Sequence, residues 1–143
     1  MPFRKLRASG LIKISGSSTL EAKLYLPSQE GNFAGVLLSH GFASAIEEFM
    51  DFPEDLCQAG YGVLAFNYSG HGKSEGARAY VSSKSHLEDI LSAYQYLVNL
   101  PQIQVEQTFL VGHSLGTVAV LRLLATRAGK NVLGVQFRWR RRS

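Results

Sequence analysis

Two kinds of hydrophobic pattern follow one another along this chain. Over residues 19–26 the period is two: Leu20, Ala22, Leu24 and Leu26 share one face, and Glu21, Lys23 and Tyr25 share the other. One apolar and one polar face describe a half-exposed strand of the antiparallel kind. A shorter apolar-rich run at residues 11–15 precedes it, and Pro27 with the polar residues 28–32 ends it as a loop. Four later runs, at residues 34–38, 61–66, 108–111 and 132–135, are apolar throughout. Strands of that kind are buried on both faces, as in a parallel sheet covered by helices.

Helical patterns lie between these runs. Residues 53–59 predict a short helix, with Pro53 tolerated in the first turn and Gly60 placed to cap its end. Ser85 followed by Glu88 resembles a capping box. Leu87, Ile90, Leu91, Tyr94, Leu97 and Val98 then recur at helical spacing until Pro101 stops the helix. Residues 115–127 predict a third helix, apolar nearly all round and therefore a buried central one. Two leading strands and a β–α–β–α–β–α–β alternation imply a three-layer α/β fold with right-handed crossovers. No internal repeat or linker interrupts it, so residues 1–143 are expected to form a single domain.

Composition changes this picture little. With 45% hydrophobic and 18% charged residues the chain is that of an ordinary globular domain. Its net charge of +4 invites a nucleic-acid reading. However, four of the fifteen basic residues are Arg138, Arg140, Arg141 and Arg142, and without them eleven basic residues face eleven acidic ones. The basicity belongs to an atypical tail at residues 138–143, not to a basic face, so no nucleic-acid partner is expected. Cys57 alone forms no disulfide within the chain and no cysteine-based zinc site. It lies in a short helix as a buried, inert thiol. No apolar run is long enough to cross a bilayer and no signal-peptide core follows the basic N-terminus, so a cytoplasmic setting is the expectation.

The chemistry concentrates in three segments that each follow an apolar strand. Gly112, His113, Ser114, Leu115 and Gly116 spell G-x-S-x-G between the strand ending at Val111 and the third helix. That context is the nucleophile elbow: a sharp turn lifts the serine above the sheet, small neighbours let strand and helix approach, and the helix N-terminus favours negative charge. Upstream, Ser39, His40, Gly41 and Phe42 follow the strand at residues 34–38. Acyl transfer develops an oxyanion that wants two preorganised backbone N–H donors. Leu115, directly after Ser114, and Phe42, just past the His40-Gly41 turn, are placed to supply them. The third segment, Asn67 to Gly76, contains Gly72, Lys73 and Ser74, the end of a phosphate-binding loop pattern. That pattern needs glycine at position 67 and a helix starting at the lysine, and both are lacking.

Together these segments resemble the N-terminal portion of the α/β-hydrolase family, in particular its lysophospholipase and serine-aminopeptidase-like esterase branch. The resemblance covers about residues 10–135 and implies a three-layer, mostly parallel sheet truncated after about the sixth strand. It implies hydrolysis of esters, amides or thioesters through an acyl-serine intermediate, with Ser114 as nucleophile and Phe42 and Leu115 as the oxyanion hole. His40, Gly41, Gly112, His113 and Gly116 carry the structural motifs. No cofactor and no metal are implied, and the partner is a small acyl substrate. Asn67 stands where relatives often carry aspartate, at a position without a catalytic role.

The family's order is serine, then acid, then histidine base, and the last two are expected after further strands that this chain does not contain. None of the four histidines is placed as a substitute. His113 should diverge from Ser114, His40 and His71 belong to strand-end turns, and His86 opens a helix at the surface. The isolated chain is therefore expected to turn over very little, or to be an inactive remnant or binding module of the same fold. Truncation, with an interrupted reading frame as the expected origin of the tail, would leave an unpaired sheet edge that favours self-association.

Overall fold

The computed structural model describes residues 6–16, 18–126 and 132–138. Six strands form one sheet: β1 (Leu6–Ile14), β2 (Leu20–Pro27), β3 (Phe33–Ser39), β4 (Gly62–Phe66), β5 (Ile103–His113) and β6 (Val132–Arg138). Their spatial order is β1-β2-β4-β3-β5-β6. β2 pairs antiparallel with β1 and with β4, and the remaining pairs are parallel. The period-two strand is thus antiparallel to both its neighbours, and the continuously apolar strands pair parallel with one another. Covering them are a short 3-10 helix (Ile46–Phe49), α1 (Phe52–Gln58), α2 (Ser83–Val98) and α3 (Leu115–Leu124).

Side chains alternate across a strand, so a fully apolar strand serves two cores at once. In β4, Leu64 and Phe66 pack with Leu37 of β3 beneath Ile90, Ala93 and Leu97 of α2 and Val120 and Leu123 of α3. Val63 and Ala65 point the other way and join Val36, Leu38, Ile46 and Cys57 beneath α1. Each fully buried leucine or isoleucine here stabilises the fold by about 2 kcal/mol. Tyr25 departs from the two-faced reading of β2. It is buried in the α1-side core, whereas Glu21 and Lys23 are half-buried; β2 lies inside the sheet, between β1 and β4.

Three helical expectations are corrected. The capping box lies three residues earlier than Ser85–Glu88: Ser82 is the N-cap, its side chain accepts from Ser85 N–H, and the Ser85 side chain accepts from Ser82 N–H. A short hydroxyl at the third position reaches back as well as a longer acid would. As a result His86 sits inside the first turn and is buried at 3% exposure, not at the surface. α3 is not buried all round: Ala119, Val120 and Leu123 face the core, whereas Val118 and Leu121 are exposed. At the C-terminal end, β6 continues past Val135 through Arg138, with Gln136, Phe137 and Arg138 paired to Val111, Gly112 and His113. The expected tail at 139–143 lies outside the described residues.

The order β4-β3-β5 positions the loops that carry the chemistry. After β3 the chain crosses by α1 to β4 on one side, and after β4 it crosses by α2 to β5 on the other side of β3. Strand order therefore reverses at β3, the topological switch point where open α/β sheets leave a crevice at the strands' carboxyl ends. Ser39 is in register with Phe66 and with Gly112. The loops after β3, β4 and β5 thus rise side by side.

Candidate active site

Ser114 occupies the single residue between β5 and α3, with φ 54° and ψ −121°, and it is exposed. This conformation is that of the first central residue of a type II′ turn, which glycine normally fills. The turn stays sharp because its neighbours lack side chains. A Cβ at Gly112 would lie 2.7 Å from the Thr117 Cα, and one at Gly116 would run into the carbonyls of Ser39 and His40. The end of β3 is further bound to α3 by a relay: the Tyr68 hydroxyl donates to Ser39 Oγ (2.6 Å), which donates to the Gly116 carbonyl (3.0 Å).

The loop after β3 lies against this turn. A Cβ at Gly41 would stand 3.4 Å from both the His113 carbonyl and Ser114 Cβ, so Gly41 permits the close approach. The Gly41 carbonyl accepts from His40 Nδ1 (2.7 Å) and from Ser44 N–H (3.3 Å). No described peptide bond is cis, so that carbonyl and the Phe42 N–H point in opposite directions across one planar group. Holding the carbonyl therefore aims the N–H. Gly41 N–H donates to Glu48 Oε1 (2.9 Å) and Ala43 N–H to His71 Nε2 (3.0 Å), while Phe42 N–H between them has no acceptor among the described residues. Leu115 opens α3, so its N–H has no intrahelical acceptor either.

Three of the four histidines have ring nitrogens engaged by other groups, and the fourth is packed on a tyrosine. His40 donates from Nδ1 to a carbonyl and accepts at Nε2 from Tyr68 N–H (3.1 Å), which fixes a neutral tautomer. Burial, aided by nearby His71, lowers its pKa, against a raising hydrogen bond to Gly41. His71 likewise donates from Nδ1 to the Ser69 carbonyl (2.9 Å) and accepts from Ala43. His86 lies against the Tyr68 ring with 4.2 Å between centroids. His113 places Nδ1 3.1 Å from Glu48 Oε2. Among the described residues no side chain is hydrogen-bonded to the Ser114 hydroxyl.

The structure thus brings together Ser114, Leu115, Gly41, Phe42, Gly112 and Gly116, with His40 and His113 beneath and beside them. It also shows Glu48 and Asp89, which the sequence did not single out, and gives Asn67 a structural role. Glu48 accepts from Gly41 N–H, from Ser44 Oγ (2.8 Å) and faces His113. Asn67 is buried, accepts from Ile46 N–H (2.8 Å) and donates to Glu21 Oε1 (2.5 Å). Asp89 holds the loop after β4 through Ser69 N–H (2.8 Å) and Ser69 Oγ (3.0 Å). The Gly72-Lys73-Ser74 segment is pinned to β2 instead of opening a helix: Ser74 Oγ accepts from Glu21 N–H and donates to the Asn67 carbonyl. Burial raises the Cys57 thiol pKa to about 11, in keeping with an inert residue.

Comparison with known proteins accords with this geometry. The family model for serine aminopeptidase S33 matches residues 31–135. A kynurenine formamidase from the yeast Meyerozyma guilliermondii is 31% identical over 121 residues, which are 83% of this chain and 44% of the formamidase. A solved hypothetical protein from Pseudomonas aeruginosa superposes with a TM-score of 0.80 at 24% identity, over 96% of this chain and 44% of its own. Est1E from Butyrivibrio proteoclasticus, solved with ferulic acid bound, gives 0.73 at 25% identity, over 80% of this chain and 47% of its own. The chain therefore spans less than half the length of these relatives. Over the part they share, with its switch-point turn and mostly parallel sheet, the chain belongs to the serine aminopeptidase S33 family of α/β-hydrolases.

Proposed function

We propose that this chain provides the nucleophile and oxyanion half of a serine hydrolase acting on carboxylic esters, amides or thioesters. Ser114 Oγ attacks the carbonyl carbon, and the negative charge that develops on its oxygen is received by the Phe42 and Leu115 N–H groups. Such donors are worth most where they are fixed before the reaction begins. The tetrahedral intermediate expels the alcohol, amine or thiol, leaving an acyl-serine that water hydrolyses. One observation carries this reading: an exposed serine in a glycine-type conformation abuts a loop whose flanking amides are tied down while Phe42 N–H is left open. The formamidase and the ferulic-acid-bound relative favour carbonyl substrates of the amide and ester kinds.

Attack requires removal of the serine proton, but His40, His71 and His113 have ring nitrogens engaged by other groups and His86 is buried against the Tyr68 ring. In the family order the acid and base follow the nucleophile, in the half of the fold that these 143 residues do not span. Loss of the histidine alone costs a serine protease on the order of a millionfold in turnover. Turnover of p-nitrophenyl esters by this chain alone is accordingly expected to be very low. The same engagement of the histidines favours a second reading, a non-catalytic binding module of the same fold.

A fluorophosphonate probe separates the two. Intact-mass analysis over long incubation is expected to show one adduct on the wild-type chain and none on Ser114→Ala, with the rate rising when a polypeptide carrying the family's acid and base segments is supplied. No Ser114 adduct with or without that polypeptide would overturn the hydrolase reading.

A further inference from the structure

Glu48 makes more contacts to the candidate site than any residue of its own short helix requires. It sits in the 3-10 helix Ile46–Phe49, 65 positions before His113, with its side chain 17% exposed. One carboxylate oxygen takes Gly41 N–H at 2.9 Å, and the other takes the Ser44 hydroxyl at 2.8 Å and faces His113 Nδ1 at 3.1 Å. Gly41 and Ser44 bracket Phe42, and His113 immediately precedes Ser114. A single anion therefore spans the loop that would supply one oxyanion donor and the turn that carries the nucleophile. A mainly buried carboxylate is costly unless its oxygens are satisfied, and here they are satisfied by parts of the site itself.

The helix that carries Glu48 is itself anchored. Ile46 N–H donates to Asn67 Oδ1, and Asn67 Nδ2 donates to Glu21 Oε1. The path runs from β2 through the end of β4 to the 3-10 helix, and from there through Glu48 to both sides of the candidate oxyanion hole. The neighbouring Glu47 has no such contact: its carbonyl accepts from Met50 N–H, but among the described residues no side-chain bond ties it to the loop.

We propose that Glu48 is a positioning residue that sets the distance between the Phe42 amide and Ser114, acting through Gly41 and His113 and touching neither substrate nor reacting atoms. The inference rests on the hydrolase reading, since it assigns Glu48 to the same site. Without the carboxylate, the Gly41–Ala43 segment keeps His40, His71 and the Ser44 N–H as anchors, and it loses its tie to the 3-10 helix and to His113. Small misplacements of this kind cost far more in reactivity than in stability.

The test is the rate of Ser114 adduct formation with the fluorophosphonate probe on the full chain, in wild type, Glu48→Ala and Glu48→Gln, with the melting temperature of each. Glutamine retains an acceptor for Gly41 N–H and a partner for the Ser44 hydroxyl. The expected result is a loss on the order of tenfold to a hundredfold in Glu48→Ala, with substantial recovery in Glu48→Gln. Labelling of Glu48→Ala at the wild-type rate would overturn the proposal. So would equal losses in both variants that merely track a fall in melting temperature. If the wild-type chain gives no Ser114 adduct with or without the polypeptide carrying the acid and base segments, the hydrolase reading fails by itself. The clamp is then judged by hydrogen exchange at the Gly41 amide: faster exchange in Glu48→Ala than in wild type and Glu48→Gln supports it, and equal exchange in all three sinks it.

Discussion

Acid should weaken this fold in a way that can be traced to one ring. His86 is 3% exposed, lies against Tyr68, and has its Nδ1 without a hydrogen-bond partner among the described residues. Burial first, then the charges of Arg122, His40 and His71, lower its pKa from 6.5 to about 4. The unfolded chain therefore binds a proton near pH 6.5 that the folded chain refuses until about pH 4. Stability is full above the unfolded value and falls as pH drops through that window. One proton over the interval amounts to about 1.4 kcal/mol per pH unit, which gives about 2 kcal/mol lost by pH 5 and about 3 kcal/mol lost in full. His40, whose pKa is also lowered by burial, adds in the same direction. Asp89 opposes them: burial raises its pKa, so its protonation relieves a penalty as the pH falls. Replacing His86 by phenylalanine keeps a ring against Tyr68 and removes the titration. Urea unfolding of both proteins from pH 7.5 to 5 should show the wild type losing about 2 kcal/mol more than His86→Phe. Parallel profiles would mean that His86 is charged in the fold or reaches water, and the reasoning would fail.

Other consequences are as direct. Gly116→Ala presses a methyl group into the carbonyls of Ser39 and His40, so urea unfolding should show a loss of about 3 kcal/mol or a chain that does not fold. Asn67→Asp turns a donated hydrogen bond into two facing carboxylates, its own and that of Glu21. It should cost about 2 kcal/mol at neutral pH, and the gap to wild type should narrow on acidification because one carboxylate then takes a proton. β6 pairs only with β5 among the described strands. If that edge is open in solution, sedimentation velocity should show concentration-dependent association, and a monomer at every concentration would count against it.

How much the sequence revealed depended on how local each signal is. Strands buried on both faces advertise themselves as unbroken apolar runs, so β3, β4 and β5 and the parallel sheet could be read directly. The G-x-S-x-G turn could be read because its cause lies within five residues, where Gly112 and Gly116 admit the close packing of β5 and α3. Glu48 could not. Nothing separates it from Glu47 until the fold brings Gly41 and His113 to its two oxygens across seven and 65 positions. His86 and Tyr25 failed for a related reason. A histidine near a helix start and a tyrosine on a polar face both look exposed until packing from distant segments covers them. Arg138 ran the other way: its charge suggested a tail, but pairing with His113 keeps its backbone in the sheet.

Backbone strain alone does not mark Ser114, and Met50 shows why. Met50 has φ 52° and ψ −124°, almost the same conformation, at the end of the 3-10 helix with 81% of its surface exposed. It is followed by no apolar helix N-terminus of eight or more residues and preceded by no strand. Glycine adopts this conformation freely, and a side chain held there costs about 1–3 kcal/mol. Against that stands the extra unfolded-state entropy of glycine, about 0.5–1 kcal/mol. Met50→Gly and Ser114→Gly should therefore each raise stability by about 1 kcal/mol, read as a higher urea midpoint, since neither side chain is buried. Only Ser114→Gly should abolish the fluorophosphonate adduct. Destabilisation by either change would show that the native turn depends on its side chain rather than merely tolerating it. A Ser114→Gly chain that is stabilised and also loses the adduct would instead place the hydroxyl among residues kept for chemistry at a cost to the fold.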